Sequence, residues 1–551
     1  MSQTNSLHRL WQLLLLEKKE ITSIYFFAIL SGLVQLSLPL GVQTIIGLLL
    51  GATMVTSIYI LILVVVIGVL VVGLMQINQM RIIEKIQQKI FTRYAFQFAE
   101  IFPQLHLHQI NNIYLPEKAN RFLDAITLQK GLSKILLDLP IASIQIVFGL
   151  TLLTFYHPVF IIFGGLLLLV LWLILKYTGK TGLYTSLKES SYKYAVVSWL
   201  EEISRVMLPF KYSRESSLNM QRTDSNVVGY LNARTAHFRV LLTQYKTLVV
   251  FKVIITANML IMGTILVIDQ QINIGEFIAA EIVILTVIGA VEKMIGSLDS
   301  VYDVITGLEK LSQVTEMTCE KPGAMQYQSK QQGISLDIIQ LDYKYDERVL
   351  LKNINFKIEA NSMVAIVGNN GSGKSTLLRF LAGCYQNFTG NFNINGIPIG
   401  NYSLESLRNK IGLLVHHKDI FDGTVFENIT MGRPSIKHQD IIELANALGI
   451  GDFLNNFKEG FDTHLEPTGK THSESTLQKL QLLRVFAQKP DLLLLDEPFT
   501  RLGDAEKQCI KSYLKTLKNT TIIVINSDPD FTALCDYTIV MNNGTATLHQ
   551  S

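Results

Sequence analysis

The chain has 551 residues, too many for one core, and 48 Lys and Arg stand against 45 Asp and Glu for a net charge of +3. Basic loops facing anionic lipid account for that small excess, and no nucleic-acid partner is expected. Apolar residues reach 49% and charged residues only 17%. The long apolar runs crowd the N-terminal half, while the C-terminal part has ordinary soluble composition.

The opening "MSQTNSLHRLWQLLLLEKKE" closes its apolar run with charges and has no small-residue cleavage site. It reads as an amphipathic helix on the inner membrane surface rather than as a signal peptide. Six apolar stretches then follow, at 21–50, 57–77, 137–156, 158–176, 247–268 and 274–294. Each is long enough in helix to cross a hydrocarbon core, which takes roughly 20 residues. "ILILVVVIGVLVVGLM" has no polar face at all, which argues against helices of a soluble core. Only "YHP" separates the third and fourth, and the proline both ends one helix and can start the next.

Lys and Arg concentrate in two loops. Residues 78–136 carry Arg81, Lys85, Lys89, Arg93, Lys118, Arg121, Lys130 and Lys134, and residues 177–246 are similarly rich. The connections "GATMVT" and "DQQIN" have none, so both termini are expected in the cytoplasm of a multi-pass protein of the inner or plasma membrane. Apolar residues recur every three or four positions in both basic loops, which predicts helical extensions of the spans into the cytoplasm. Glu281 lies well inside the sixth span and Lys252 inside the fifth. Ionisable groups at that depth are costly and mark pathways, so Glu281 is a candidate for the permeation route, with Lys252 read equally well as a snorkelling charge.

The permease domain is expected over residues 1–317, and "TCEKPGAMQYQSKQQG", 318–333, reads as a polar linker. From residue 334 to 551 short β-like runs ("MVAIVG", "IGLLV", "DLLLLDE", "TTIIVIN") alternate with helices, which predicts a parallel-rich α/β domain. The cysteines, Cys319, Cys384, Cys509 and Cys535, lack metal-ligand spacing and read as ordinary thiols.

"VGNNGSGKSTLLRFL" fits G-x-x-x-x-G-K-[ST], with Gly368, Gly373, Lys374 and Ser375 at the fixed positions. Glycines let the loop aim its N–H groups at phosphates, and the following helix adds positive potential. The loop Gly368, Asn369, Asn370, Gly371, Ser372, Gly373, Lys374, Ser375 and Thr376 is thus expected to hold ATP, with Lys374 on the β/γ-phosphates and Ser375 on Mg²⁺. Asp496 ends an apolar strand and suits the second Mg²⁺ contact. Glu497 is placed to orient and deprotonate the attacking water.

With these motifs in place, the chain resembles the ABC transporters, specifically exporters that fuse six spans to one nucleotide-binding domain. That resemblance implies a membrane α-helical bundle with long cytoplasmic extensions followed by a P-loop NTPase domain. It also implies ATP-driven export, and a dimer in which each P-loop faces the other chain's signature motif. "LDYKYDERVLLKNINFKIE" is similar to the family's opening strands and puts Tyr345 where an aromatic ring stacks on adenine. "SLPLGVQTIIG" is similar to half-transporters of the bacterial peptide and type I secretion group, here without their N-terminal peptidase domain. A peptide or protein cargo is implied by resemblance alone.

Several family positions are altered. "HSEST" stands at the LSGGQ signature, keeping Ser473 but replacing two glycines by Glu474 and Ser475. His416 takes the Q-loop glutamine position, Gly503 the D-loop aspartate position and Ser527 the switch-histidine position. A carboxylate at 474 adds like charge near ATP, and Cβ atoms obstruct the approach that glycine allows. Because the signature serves the opposite chain's site, a chain can keep its P-loop and lose its signature when its partner is a different half-transporter. Heterodimerisation is therefore the first reading. A slow homodimer, an inactive transporter and an ATP-binding regulatory or structural half stand behind it.

Overall fold

The computed structural model describes residues 3–50, 56–110, 113–213, 216–330, 332–415 and 419–550. The chain divides into two compact units. One comprises Met1–Pro103 and Tyr114–Met317, the other Gln104–Ile113 and Thr318–Ser551.

The first unit is all helix. Six helical spans, Lys18–Leu50, Thr56–Gln104, Leu115–Tyr156, Val159–Arg205, Leu218–Ile268 and Ile274–Thr315, are long and apolar enough to cross a membrane, and they match the six stretches read from hydropathy, with only Pro158 of the fourth left outside its helix. Their outer faces stay apolar without burial: Val64, Val66, Val69 and Leu70 are all exposed, as lipid contact requires. Between helices the contacts are close. A Cβ on Gly149 would lie 2.4 Å from Val287 Cγ2, so the backbones of helices Asp124–Tyr156 and Ile274–Gly296 meet where only hydrogen fits.

The first span is two helices rather than one. Lys18–Gln35 ends at Leu36 and Ser37–Leu50 begins beyond it. Pro39 explains the break, because it has no N–H to continue the ladder to Gln35. The remaining joints follow the sequence: His157 and Pro158 separate Asp124–Tyr156 from Val159–Arg205. Helix Gln3–Leu16 precedes the first span. It buries Leu13 and pairs Arg9 with Glu309 at 2.5 Å and Glu316 at 2.7 Å, while Leu7, Trp11 and Leu15 face outward. Lys252 has an ionic partner, Glu292 at 3.3 Å, so it is a paired charge rather than a lone snorkelling one.

The second unit holds two large sheets. Strands are β1 (Leu336–Tyr345), β2 (Arg348–Ile358), β3 (Met363–Gly368), β4 (Thr389–Ile394), β5 (Ile397–Pro398), β6 (Ile411–Leu414), β7 (Gly423–Thr424), β8 (His464–Leu465), β9 (Leu492–Asp496), β10 (Thr521–Ile525), β11 (Tyr537–Asn542) and β12 (Thr545–Gln550). β1, β2, β4 and β5 form an antiparallel sheet. The larger sheet runs β12-β11-β3-β10-β9-β6, parallel except for β12.

That sheet is covered on both faces, which is why its central strands read as unbroken apolar runs. Leu492 and Leu494 enter one core with the antiparallel sheet, and Leu493 and Leu495 enter a second one with the helical side of the unit. Ile523 and Ile525 against Ile522 and Val524 alternate the same way. The polar stretch after Met317 lies on this unit: Arg408 pairs with Glu320 at 2.5 Å, and Tyr327 donates to Asp491 at 2.9 Å.

Candidate nucleotide site

In parallel α/β sheets ligands bind beyond the carboxyl ends of the strands. Register places three such ends together, with Ile366 and Asp496 both opposite Ile525 on the intervening β10. Asp496 is therefore two strands, about 10 Å, from the strand that feeds the P-loop.

The loop from Gly368 to Gly373 depends on its glycines. Gly368 has φ +148, and a Cβ there would sit 2.3 Å from the Met541 carbonyl oxygen of the neighbouring β11. Gly373, at φ +103, is the N-cap of helix Lys374–Leu381. Gly371, at φ +79, meets nothing within 4 Å, which leaves open the space over the loop. The loop is braced from below, where Ser372 N–H donates to Asn369 and Gly544 N–H donates to Ser372. Ser372 is buried and its hydroxyl has no partner among the described residues. Lys374 Nζ turns back on the loop, donating to the carbonyls of Gly368 at 2.7 Å and Asn369 at 2.9 Å.

Two adjoining clefts open over this loop. The larger, about 730 Å³, is lined by Gly368, Asn370, Lys374, Glu497 and, on the far wall, Asn526, Ser527 and Pro529. The smaller, about 400 Å³, is lined by Asn370, Gly371, Gly373, Lys374, Ser375, Thr376, Asp496 and Glu497, with Arg348 and Asn543 at its rim. Lys374, Asn370 and Glu497 are common to both. The rim residues carry no motif, and only the fold brings them here.

Glu497 leaves β9 with φ +48, a left-handed conformation that costs a non-glycine residue about 1 kcal/mol or more. Hydrogen bonds hold it there. Its N–H donates to Ile525 at 3.0 Å, and its carbonyl accepts from the Thr500 hydroxyl at 2.9 Å. Beside Ser527, the Lys511 ammonium holds the Asp528 carboxyl below its usual range through a 2.5 Å contact. Ser527 itself is exposed on the cleft wall.

Tyr345 stands at the end of β1 and does not line either cleft. Its ring meets His108 edge-on at 4.9 Å, and its hydroxyl is buried with no partner among the described residues. His416 lies outside the described residues. Gly503 is the N-cap of helix Asp504–Thr516, its N–H donating to Glu506 at 2.9 Å. At the signature, Ser473 caps helix Glu474–Phe486 by accepting from Thr476 N–H at 3.1 Å, with Ser475 in the first turn. Glu474 is not a free carboxylate: its Oε2 lies 2.6 Å from Nε of Arg501. Sequence reasoning missed Arg501, although a base two residues before Gly503 and an acid in the altered signature were a signal for it.

Residues 351–500 match the profile of the ABC transporter family. By that match the second unit contains an ABC transporter domain. An ABC transporter ATP-binding protein of Bacillus subtilis, YknV, is 30% identical over 298 residues, 52% of this chain and 48% of the relative. A putative multidrug export ATP-binding/permease protein of Staphylococcus aureus is 34% identical over 224 residues, 40% and 39% of the two chains. The matched region thus spans half or less of these curated relatives. The fold extends further: a solved bacterial Atm1-family ABC exporter with ATP bound superposes at TM-score 0.86 over 97% of this chain and 95% of that one, at 17% identity.

Proposed function

We propose that this chain is one half of an ATP-driven exporter, binding and hydrolysing Mg·ATP at its ABC domain to move a substrate outward across the inner or plasma membrane. The observation that carries the reading is the convergence of Lys374, Ser375, Asp496 and Glu497 on one cleft at the carboxyl ends of β3 and β9. Lys374 offers a cation to phosphate oxygens, and the N-terminus of its helix adds backbone N–H groups and positive potential. The open space above Gly371 and the loop hydroxyls fit a polyphosphate.

The Ser375 hydroxyl and the Asp496 carboxylate are hard oxygen donors lining the same cleft, which suits Mg²⁺. Bound there, Mg²⁺ would neutralise charge on the phosphates. Glu497, anchored by backbone on both sides, is the base that orients and deprotonates water. A second half-transporter chain completes the molecule. The altered signature supports a partner of different sequence, and the multidrug export named for one relative supports drug-like cargo as an alternative to the peptide or protein reading.

Turnover tests this. In membranes holding the chain with a partner, Glu497→Gln should keep Mg·ATP binding and lose about 10²-fold or more in rate, the size of a general-base contribution. Unchanged hydrolysis in that variant would remove Glu497 from the mechanism.

A further inference from the structure

Two of the segments that depart from the family pattern meet each other: the signature, and the stretch that leads into Gly503. Glu474 opens the helix Glu474–Phe486, and Arg501 follows Glu497 by four positions, yet their charged groups close to 2.6 Å. The pair is partly exposed, 54% for the Glu474 side chain and 36% for that of Arg501, so it sits on the surface that carries the signature. Arg501 adopts φ +64, a conformation that side chains disfavour. The same helix is tied to the same segment at two further points. Gln478 Nε2 donates to the Pro498 carbonyl at 2.5 Å, and Lys479 pairs with Glu506 at 2.6 Å. The guanidinium is thus delivered by a segment fixed along its length.

We propose that Arg501 neutralises the carboxylate at the signature, and that this compensation lets the face close on a nucleotide phosphate. A bare carboxylate at 474 would oppose a polyphosphate, whereas an ion pair presents no net charge to it. Arg501 is a positioning residue in this scheme, acting through Glu474 rather than on the nucleotide. The scheme rests on the dimeric reading above, in which the signature faces the other chain's ATP. It separates the two changes in "HSEST": the charge is corrected within the chain, and only the added side-chain bulk of Glu474 and Ser475 remains.

The test uses the full chain in nanodiscs, spin-labelled at Cys509, the exposed one of its four cysteines. Distances between labels are measured with and without Mg·ATP, and turnover is followed in parallel. Arg501→Gln should weaken nucleotide-dependent closure by about fivefold, since an exposed charge interaction reaches at most ~1 kcal/mol. ATP affinity of the P-loop should not change. Glu474→Gln should close as well as wild type or better, and the double variant should match Glu474→Gln. Equal closure of Arg501→Gln and wild type would overturn the proposal. So would a double variant as weak as Arg501→Gln, because Arg501 would then act on phosphate directly. If no variant, wild type included, responds to Mg·ATP, the dimeric reading itself fails and the compensation falls with it.

Discussion

The backbone N–H of Glu497 donates to the carbonyl of Ile525, 3.0 Å away on the neighbouring strand, just past the row where Ile525 faces Asp496. One hydrogen bond therefore sets the point at which the chain turns out of the sheet with its carboxylate over the P-loop. The left-handed φ of +48 at Glu497 is the cost of that turn, and the buried leucines of β9 supply the rigidity that sustains it.

ATP affinity should depend on Lys374. Lys374 lines both clefts, and in the proposed mode of binding its ammonium would face several phosphate oxygens at once. Lys374→Ala should remove most of the affinity in a nucleotide titration of the full chain, a loss of about tenfold or more for one charge-assisted contact of ~1.5–3 kcal/mol. Unaltered Mg·ATP binding would contradict the site.

The reach of the sequence can be judged from that site. The P-loop was legible because its chemistry fixes residue types at fixed spacing. β9 was legible because a strand buried on both faces needs apolar residues at every position, as Leu492 to Leu495 show. The six spans announced themselves by length. What stayed hidden depends on chain segments far apart in sequence. Arg501 reaches Glu474, Lys252 reaches Glu292, and Gln104–Ile113, from a loop between spans, joins the second unit and sets His108 against Tyr345. No periodicity encodes such pairings.

Glu281 should matter for cargo rather than for nucleotide. It is half-buried in helix Ile274–Gly296 and has no hydrogen-bond or ionic partner among the described residues, an expensive position in a membrane. Glu281→Gln should leave basal ATP binding intact while changing transport or substrate-stimulated turnover. Equal transport at equal expression would remove it from the pathway.

Topology follows from the charge bias between loops. Gln271 lies in the turn without Lys or Arg between helices Leu218–Ile268 and Ile274–Gly296, and it is exposed. A single cysteine at 271 in a Cys-free background should react with an impermeant reagent added outside intact cells, whereas one near the C-terminus should not. Labelling of position 271 only after the membrane is opened would reverse the assignment.

Pairing can be read from the rate. A homodimer would contain two sites, each with Lys374, Asp496 and Glu497 intact but facing "HSEST", and each with Ser527 where an imidazole is expected. Ser527 lies on the cleft wall and offers a hydroxyl where an imidazole is expected. Each lost donor to developing negative charge typically costs about 10²–10³ in rate. The chain alone should therefore bind ATP and turn over slowly. A partner with an intact signature should raise turnover at this chain's P-loop, and Glu497→Gln here should abolish the rise. Restoring glycines with Glu474→Gly and Ser475→Gly should speed the homodimer, because it removes the obstructing Cβ atoms while Ser473 still caps the helix. Brisk, Glu497-dependent hydrolysis by the unmodified homodimer would instead mean that the altered signature already closes on phosphate. With Glu474 neutralised by Arg501, the bulk at 474 and 475 would then be the smaller obstacle, and the need for a different partner would disappear.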